Sequence, residues 1–236
     1  MFVAEGHTTE APLAITYSSV VSRDSVWLAF MIAALNGIDI MSFDLENEYL
    51  NTMNRENIWF EGGIKCSEDK SEVLFVVRAL YGLKSAGLAW RAELAEALVK
   101  LGFKLTRANP DVWIQADVHL NGGKYYAMLF VYVDYILALS HKETEVITEI
   151  TSFYKAKEVS IKPPDIYLGE NIDKIQMPDG REVWGSSSRD YVKNAIITID
   201  RLFEEDSEGF TFRNSVKNPF PMGYKTELDF TEELGP

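Results

Sequence analysis

Two aspartates lie where a soluble protein rarely leaves a carboxylate without a reason. "FDLENEYLN" (Phe43 to Asn51) carries Asp44 at the end of an apolar, strand-like stretch, and "LFVYVDYILAL" (Leu129 to Leu139) carries Asp134 as its only acid. A tight turn at Val133-Asp134 would pair the two apolar halves of the second stretch as a hairpin. A buried carboxylate either neutralises itself or needs a cation, and two carboxylates at neighbouring strand ends would share one. Hard oxygen ligands of this kind suit Mg²⁺, which takes one or two carboxylates and leaves other positions to water and substrate phosphates. On spacing alone the structural reading is the simpler one: Asp134 as a turn residue, and Asp44 as a strand-end or helix-cap residue.

Other chemistries have less to stand on. The sequence has no Gly-rich phosphate loop after its first strand and no nucleophile elbow. Its three histidines (His7, His119, His141) and one cysteine, Cys66, are widely scattered, which leaves no zinc site and no evident base for a serine or cysteine hydrolase. Any chemistry here runs on carboxylates.

The elements that must position the two acids follow from periodicity and turn signals. "SRDSVWLAFMIAALNG" opens on a Ser22 N-cap and closes on Gly37, and its nearly continuous apolar character predicts a buried helix. "IDIMSFDL" predicts a strand ending near Asp44, and "NIWFEGG" and "EVLFVVR" predict two more. "AGLAWRAELAEALVKLGF" aligns Leu94, Ala97, Leu98 and Leu101 on one helical face. "DVWIQAD" and "KYYAMLFVYV" flank an Asn121-Gly122 hairpin turn, with "ILALS" as the next strand. "KETEVITEITSFYKAK" predicts an amphipathic helix over 142–157. "DIYLGENIDKIQ" and "REVWGSS" predict strands joined at Asp179-Gly180, and "SRDYVKNAIITIDRLFEED" a Ser-capped final helix. Helices mixed with hairpins predict an α+β domain whose antiparallel or mixed sheet is covered on one side. Residues 1–20 read as an irregular lead-in, and the chain beyond Ser207 as a polar, Pro-rich tail.

Composition sets limits around this plan. A chain of 236 residues that is 47% hydrophobic suits one generous domain, or a domain plus a fragment of another. The single cysteine fits a reducing compartment, the N-terminus has no secretory pattern, and the ten-residue run Val26 to Leu35 is too short to span a bilayer, so a soluble protein is expected. A net charge of −13 makes a poor generic binder of phosphate backbones, because such affinity comes mainly from Lys and Arg displacing counterions. Nucleic-acid binding would then need metal ions, or basic segments outside this chain.

Four motifs in order carry a family resemblance. "FDLENEYLN", "RALYGLKSAGLAW" (Arg78 to Trp90), "YVDY" after an apolar strand, and "DIYLGENI" together resemble the reverse transcriptase domain of copia-type retrotransposons, with "ANPDVWI" also in family order. The match covers roughly Ser22 to Val192. What the resemblance implies is a right-hand polymerase: an antiparallel palm sheet with covering helices that bears the acids, partial fingers before it, and a truncated thumb and connection after it. Residues 21–187 would form fingers and palm, and 188–236 the C-terminal helix and tail. The implied activity is template-directed addition of deoxynucleotides to a DNA primer on an RNA template, by two-metal chemistry with Mg²⁺, or Mn²⁺ in its place. It would take place in the cytoplasm or within retrotransposon particles, without a membrane and with a dimer among the arrangements the family allows.

By the same resemblance, Asp44 and Asp134 are the metal ligands and catalytic carboxylates. Leu45 would offer a backbone carbonyl to the nucleotide-side ion, and Tyr49 would pack under the deoxyribose and exclude a 2′-hydroxyl. Gly82, Lys84 and Trp90 would line the nucleotide and template pocket, with Lys84 meeting a phosphate. Structural roles stand beside these: a packed core aromatic for Tyr49 and a solvated side chain for Lys84.

Three departures from the family pattern bear on activity. Tyr135 stands where the family's third carboxylate belongs, and a neutral phenol cannot serve as an anionic ligand without a strong pKa shift. Glu48 replaces the small residue that usually precedes the aromatic, and its bulk would crowd an incoming nucleotide, or its oxygen substitute for the lost one. The chain also starts late in the fingers and stops where thumb sequence would be expected to continue. The implied enzyme is therefore an impaired polymerase, with a catalytically dead or domesticated palm, reused for nucleic-acid binding or protein interaction, as the alternative.

Overall fold

A computed structural model describes residues 3–9, 12, 16–61, 72–119 and 121–205 of the chain. Cys66 and the tail beyond residue 205 lie outside the described residues. The chain divides into two compact units, Met1–Asp190 and Tyr191–Pro236.

The centre of the first unit is a five-stranded sheet ordered β1-β7-β6-β5-β4, formed by Asp39–Asp44, Tyr135–Ser140, Lys124–Tyr132, Val112–Val118 and Lys104–Leu105 respectively. Every neighbouring pair in it is antiparallel. A second sheet of three antiparallel strands is ordered β10-β9-β8, formed by Glu182–Ser187, Glu170–Gln176 and Ile166–Tyr167. β2 (Trp59–Glu61) and β3 (Val73–Phe75) make a separate short pair. The helices of this unit are α1 (Arg23–Asn36), α2 (Ala86–Lys100) and α3 (Glu143–Thr151).

The central sheet is buried on both faces, rather than on one as the element order suggested. Alternation along the strands sends Phe43, Leu129, Val131, Ile136 and Ala138 to one face, where they pack with Trp90, Leu94 and Leu98 of α2 and Val146 and Ile150 of α3. It sends Ile40, Phe130, Leu137 and Leu139 to the other, against Val26, Ala29, Phe30 and Ala33 of α1 and Tyr167 and Ile172 of the second sheet. Two buried faces explain why β6 and β7 read as continuous apolar runs instead of alternating ones.

Several local expectations hold. Ser22 caps α1 by accepting from the Ser25 N–H, and Gly37 closes it in the left-handed region at φ 60°. Gly122 and Gly180 sit at φ 83° and 85° in the turns where glycine was expected.

Two expectations change. The helix expected over 142–157 ends at Thr151. Residues beyond it peel away because pairing with the end of β1 satisfies their backbone: Glu46 N–H donates to Lys155 O, and Lys157 N–H donates to Asp44 O. Tyr154 and Ala156 are buried by that path. The strand expected over 165–176 folds instead as a hairpin, with Leu168 and Gly169 at φ 51° and 78° supplying the two-residue turn between β8 and β9.

The second unit contains most of α4 (Arg189–Glu205), in which Val192, Ile196, Ile199 and Phe203 recur on one face. Among the described residues no helix is long and apolar enough to cross a membrane.

Candidate active site

β1 and β7 pair in the register Asp44↔Tyr135, so Asp44 ends its strand directly beside the turn that carries Asp134. That turn is the two-residue link between β6 and β7, with Tyr132 paired to Tyr135. It places Val133 at φ 58°, a conformation that β-branched residues avoid. Two contacts hold it there. The indole Nε1 of the buried Trp90 donates to Val133 O at 2.9 Å, and Leu45 N–H donates to Asp134 O, also at 2.9 Å. One contact reaches the turn from α2 and the other from the end of β1, so the position of Asp134 is fixed by two separate elements.

Asp44 is held as closely. Its backbone N–H donates to Ser160 Oγ at 2.8 Å, its carbonyl accepts from Lys157 N–H at 2.9 Å, and its Oδ1 accepts from Lys157 Nζ at 2.6 Å. Burial, then the charges of Glu48 and Asp44, push the Asp134 carboxyl up to about 6. A carboxyl in that condition gains from any cation that comes near it.

Asp134 lies between two clefts. The larger, about 750 Å³, is lined by Asp44, Asp134, Tyr135, Tyr132, Tyr167 and Arg23, with the Leu168-Gly169 turn at its edge. The smaller, about 490 Å³, is lined by Glu46, Asn47, Glu48, Tyr81, Asp134 and Lys157.

Tyr135 faces the larger cleft as a half-buried ring, 5.2 Å from the ring of Tyr167. Burial raises its hydroxyl above the usual phenol range, so it stays neutral. Glu48 is buried, only 6% exposed, and accepts a 2.6 Å hydrogen bond from the Tyr81 hydroxyl.

The remaining expected site residues fall in two groups. Leu45 is fully buried in the core next to Asp44, and Tyr49 packs edge-on against Tyr81 with centroids 4.8 Å apart. Gly82 and Lys84 line neither cleft; both hold the N-terminal segment. Gly82 sits at φ 91°, where a Cβ would lie 1.9 Å from Ala4 O, and Lys84 Nζ donates to Thr9 O at 2.7 Å. Ala4 N–H in turn donates to Tyr81 O at 2.7 Å.

The sequence reading missed Lys157 and the turn-holding role of Trp90. A signal for the first was present, since Tyr154 and Ala156 alternate with Lys155 and Lys157 at the period of a strand.

Asp44 and Asp134 offer hard carboxylate oxygens, the ligand type that Mg²⁺ takes alongside water and substrate phosphates. Among the described residues, no group of three or more His, Cys, Asp or Glu side chains is arranged to hold a metal.

A family model described as reverse transcriptase (RNA-dependent DNA polymerase) matches residues 2–195. The chain belongs to this family. It is similar to two Arabidopsis thaliana proteins, the retrovirus-related Pol polyproteins from transposons RE1 and RE2. Identity to the first is 27% over 146 residues, covering 60% of this chain and 10% of that protein. Identity to the second is 24% over 235 residues, covering 94% of this chain and 16% of that protein. The chain is thus a copia-type reverse transcriptase domain that spans a small part of the length of these polyproteins. The four motifs that suggested the family lie within the matched residues.

Proposed function

We propose that residues 21–187 are the fingers and palm of an RNA-directed DNA polymerase, and that Asp44 and Asp134 are its two remaining catalytic carboxylates. In this reading the central antiparallel sheet is the palm. The observation that carries it is the register of β1 on β7, which sets Asp44 beside the Asp134 turn at the mouth of an open cleft. Substrates would be an RNA template, a DNA primer and deoxynucleotides, with Mg²⁺ held by Asp44 and Asp134 and Mn²⁺ as its substitute. Two such ions, when bound, would neutralise charge on the attacking and the leaving oxygen. Asp44 and Asp134 would hold the ions, while Trp90 and Leu45 keep the Asp134 turn in place.

Tyr135 makes this an impaired enzyme. It adds no negative charge beside Asp44, and its ring against Tyr167 fills space that a short carboxylate would leave to water and metal. The role in substrate binding expected of Leu45 and Tyr49 is compatible with their positions next to Asp44 and beside Tyr81. The roles expected of Gly82 and Lys84 would require the N-terminal segment to release them.

A second reading, nucleic-acid binding without turnover, is favoured by Tyr132, Tyr135 and Arg23 together in the larger cleft, since rings and guanidinium groups stack on bases. Primer extension on poly-rA/oligo-dT, paired with a salt titration of hybrid binding, separates the two. Extension that appears in Tyr135→Asp and disappears in Tyr135→Asp/Asp44→Asn supports the polymerase reading. Salt-sensitive binding with no extension by either chain supports the second.

A further inference from the structure

Lys157 is not an incidental surface lysine. Its backbone N–H is fixed to Asp44 O, and its ammonium lies 2.6 Å from Asp44 Oδ1, so the chain returns after α3 and holds a cation against the first carboxylate. The same side chain lines the smaller cleft with Asp134, Glu48 and Glu46. Of these acids, Glu46 is paired with Lys155 at 3.1 Å and Glu48 accepts from Tyr81, which leaves Lys157 as the cation directed at Asp44.

We infer that Lys157 is a resident counter-cation of the acid site, which a divalent ion must displace from Asp44 before it can bind. This rests on the proposal that Asp44 and Asp134 form a divalent-ion site. A divalent ion at Asp44 and an ammonium on the same carboxylate repel each other, so the two compete. The ion pair keeps solvent contact on both sides, with side-chain exposures of 47% for Lys157 and 26% for Asp44, and ion pairs of that kind are weak enough to be displaced. Lys157 thus sets the threshold of metal concentration for the site. Loss of the third acid to Tyr135 raises that threshold, because fewer negative charges remain to favour a doubly charged ion over a singly charged one.

The test uses Mn²⁺ and the full chain. Free Mn²⁺ is followed by its electron paramagnetic resonance signal for the unmodified chain, Lys157→Gln, Lys157→Arg and Asp44→Asn. Lys157→Gln is expected to bind about tenfold more tightly than the unmodified chain. Lys157→Arg, which keeps the charge, should stay at the unmodified level, and Asp44→Asn should weaken binding. On the unmodified chain, acetylation of Lys157 read by mass spectrometry should speed up when Mn²⁺ is added, because the amine is released. This readout does not depend on any variant folding.

If Lys157→Gln binds no more tightly while Asp44→Asn still weakens binding, the inference fails and the metal site stands. Slower or unchanged acetylation of Lys157 in the presence of bound Mn²⁺ also overturns it. Mn²⁺ binding that is indifferent to Asp44→Asn overturns the inference and the site reading together.

Discussion

The indole of Trp90, on α2, donates its Nε1 proton to the carbonyl of Val133, 43 residues away in sequence and 2.9 Å away in space. That bond ties the helix covering one face of the sheet to the strained turn carrying Asp134. The family's Trp in the "YGLKSAGLAW" segment therefore acts here as a support for the turn and is almost wholly buried beneath it. A left-handed valine persists only where its surroundings hold it, and Trp90 and Leu45 do so.

Trp90→Phe keeps most of the ring and removes the donor. Leaving the Val133 carbonyl without its partner is expected to cost about 1–3 kcal/mol, measured by urea denaturation. Trp90→Ala should cost more, about 3–5 kcal/mol, because a cavity opens in the core. A Trp90→Phe chain as stable as the parent would mean that the turn is held by other contacts.

Asp134 makes stability depend on pH. Its folded value, pushed up to about 6 by burial, Glu48 and Asp44, lies above its unfolded value near 4. Below pH ~4 both states carry the proton and nothing is lost. Between ~4 and ~6 the unfolded chain has released its proton while the folded chain keeps it, so this group's contribution makes stability fall as pH rises through that window. Above it the full cost is present. Asp134→Asn is expected to stabilise the metal-free chain by about 1 kcal/mol at pH 8 and not at pH 4, the figure being reduced for solvent contact. Added Mg²⁺ should raise the melting temperature of the unmodified chain more at pH 8 than at pH 5, and should do so less in Asp134→Asn.

Tyr135→Asp exchanges a packed ring for a charge beside Asp44. Without divalent ions the variant is expected to lose about 1–2 kcal/mol, since half of a buried aromatic's contacts are removed and two acids face each other. Mg²⁺ should return a larger share of stability to this variant than to the parent. Thermal melts with and without Mg²⁺ read both effects.

Gly82→Ala tests the N-terminal clasp. A Cβ at this position would meet Ala4 O at 1.9 Å, and the backbone lies at φ 91°, so residues 3–9 should detach at a cost of about 1–3 kcal/mol. Limited proteolysis would then nick the N-terminal segment first. Lys84, freed from Thr9 O, would become more reactive toward amine reagents.

Much of this arrangement was legible in the sequence, because the relevant signals are local. The Ser22 cap, the Gly37 stop, and the turns at Val133-Asp134, Asn121-Gly122 and Asp179-Gly180 depend on residues a few positions apart. Asp44 and Asp134 were also identifiable as partners, since both end strand-like runs within family motifs. What was not legible depends on distant pairing. The fate of residues 152–157 is decided by the end of β1, which takes up their backbone groups and overrides a helical pattern, and this brings Lys157 to Asp44. Burial of the sheet on both faces required knowing that α1 and β8–β10 pack opposite α2 and α3. The attachment of Gly82 and Lys84 to residues 3–9 could not be read from an N-terminus that has no periodicity.

The most direct test of the central claim, that Tyr135 is the lesion in an otherwise assembled acid site, is single-nucleotide incorporation on an RNA-templated DNA primer with Mg²⁺ and with Mn²⁺. The rate of the unmodified chain is compared with that of Tyr135→Asp, using Asp44→Asn in each background as the control. Restoration of the third carboxylate is expected to raise the rate by about a hundredfold or more, with the gain abolished by Asp44→Asn. Equal rates in the unmodified chain and Tyr135→Asp, both sensitive to Asp44→Asn, would contradict the claim and show that two carboxylates suffice in this domain.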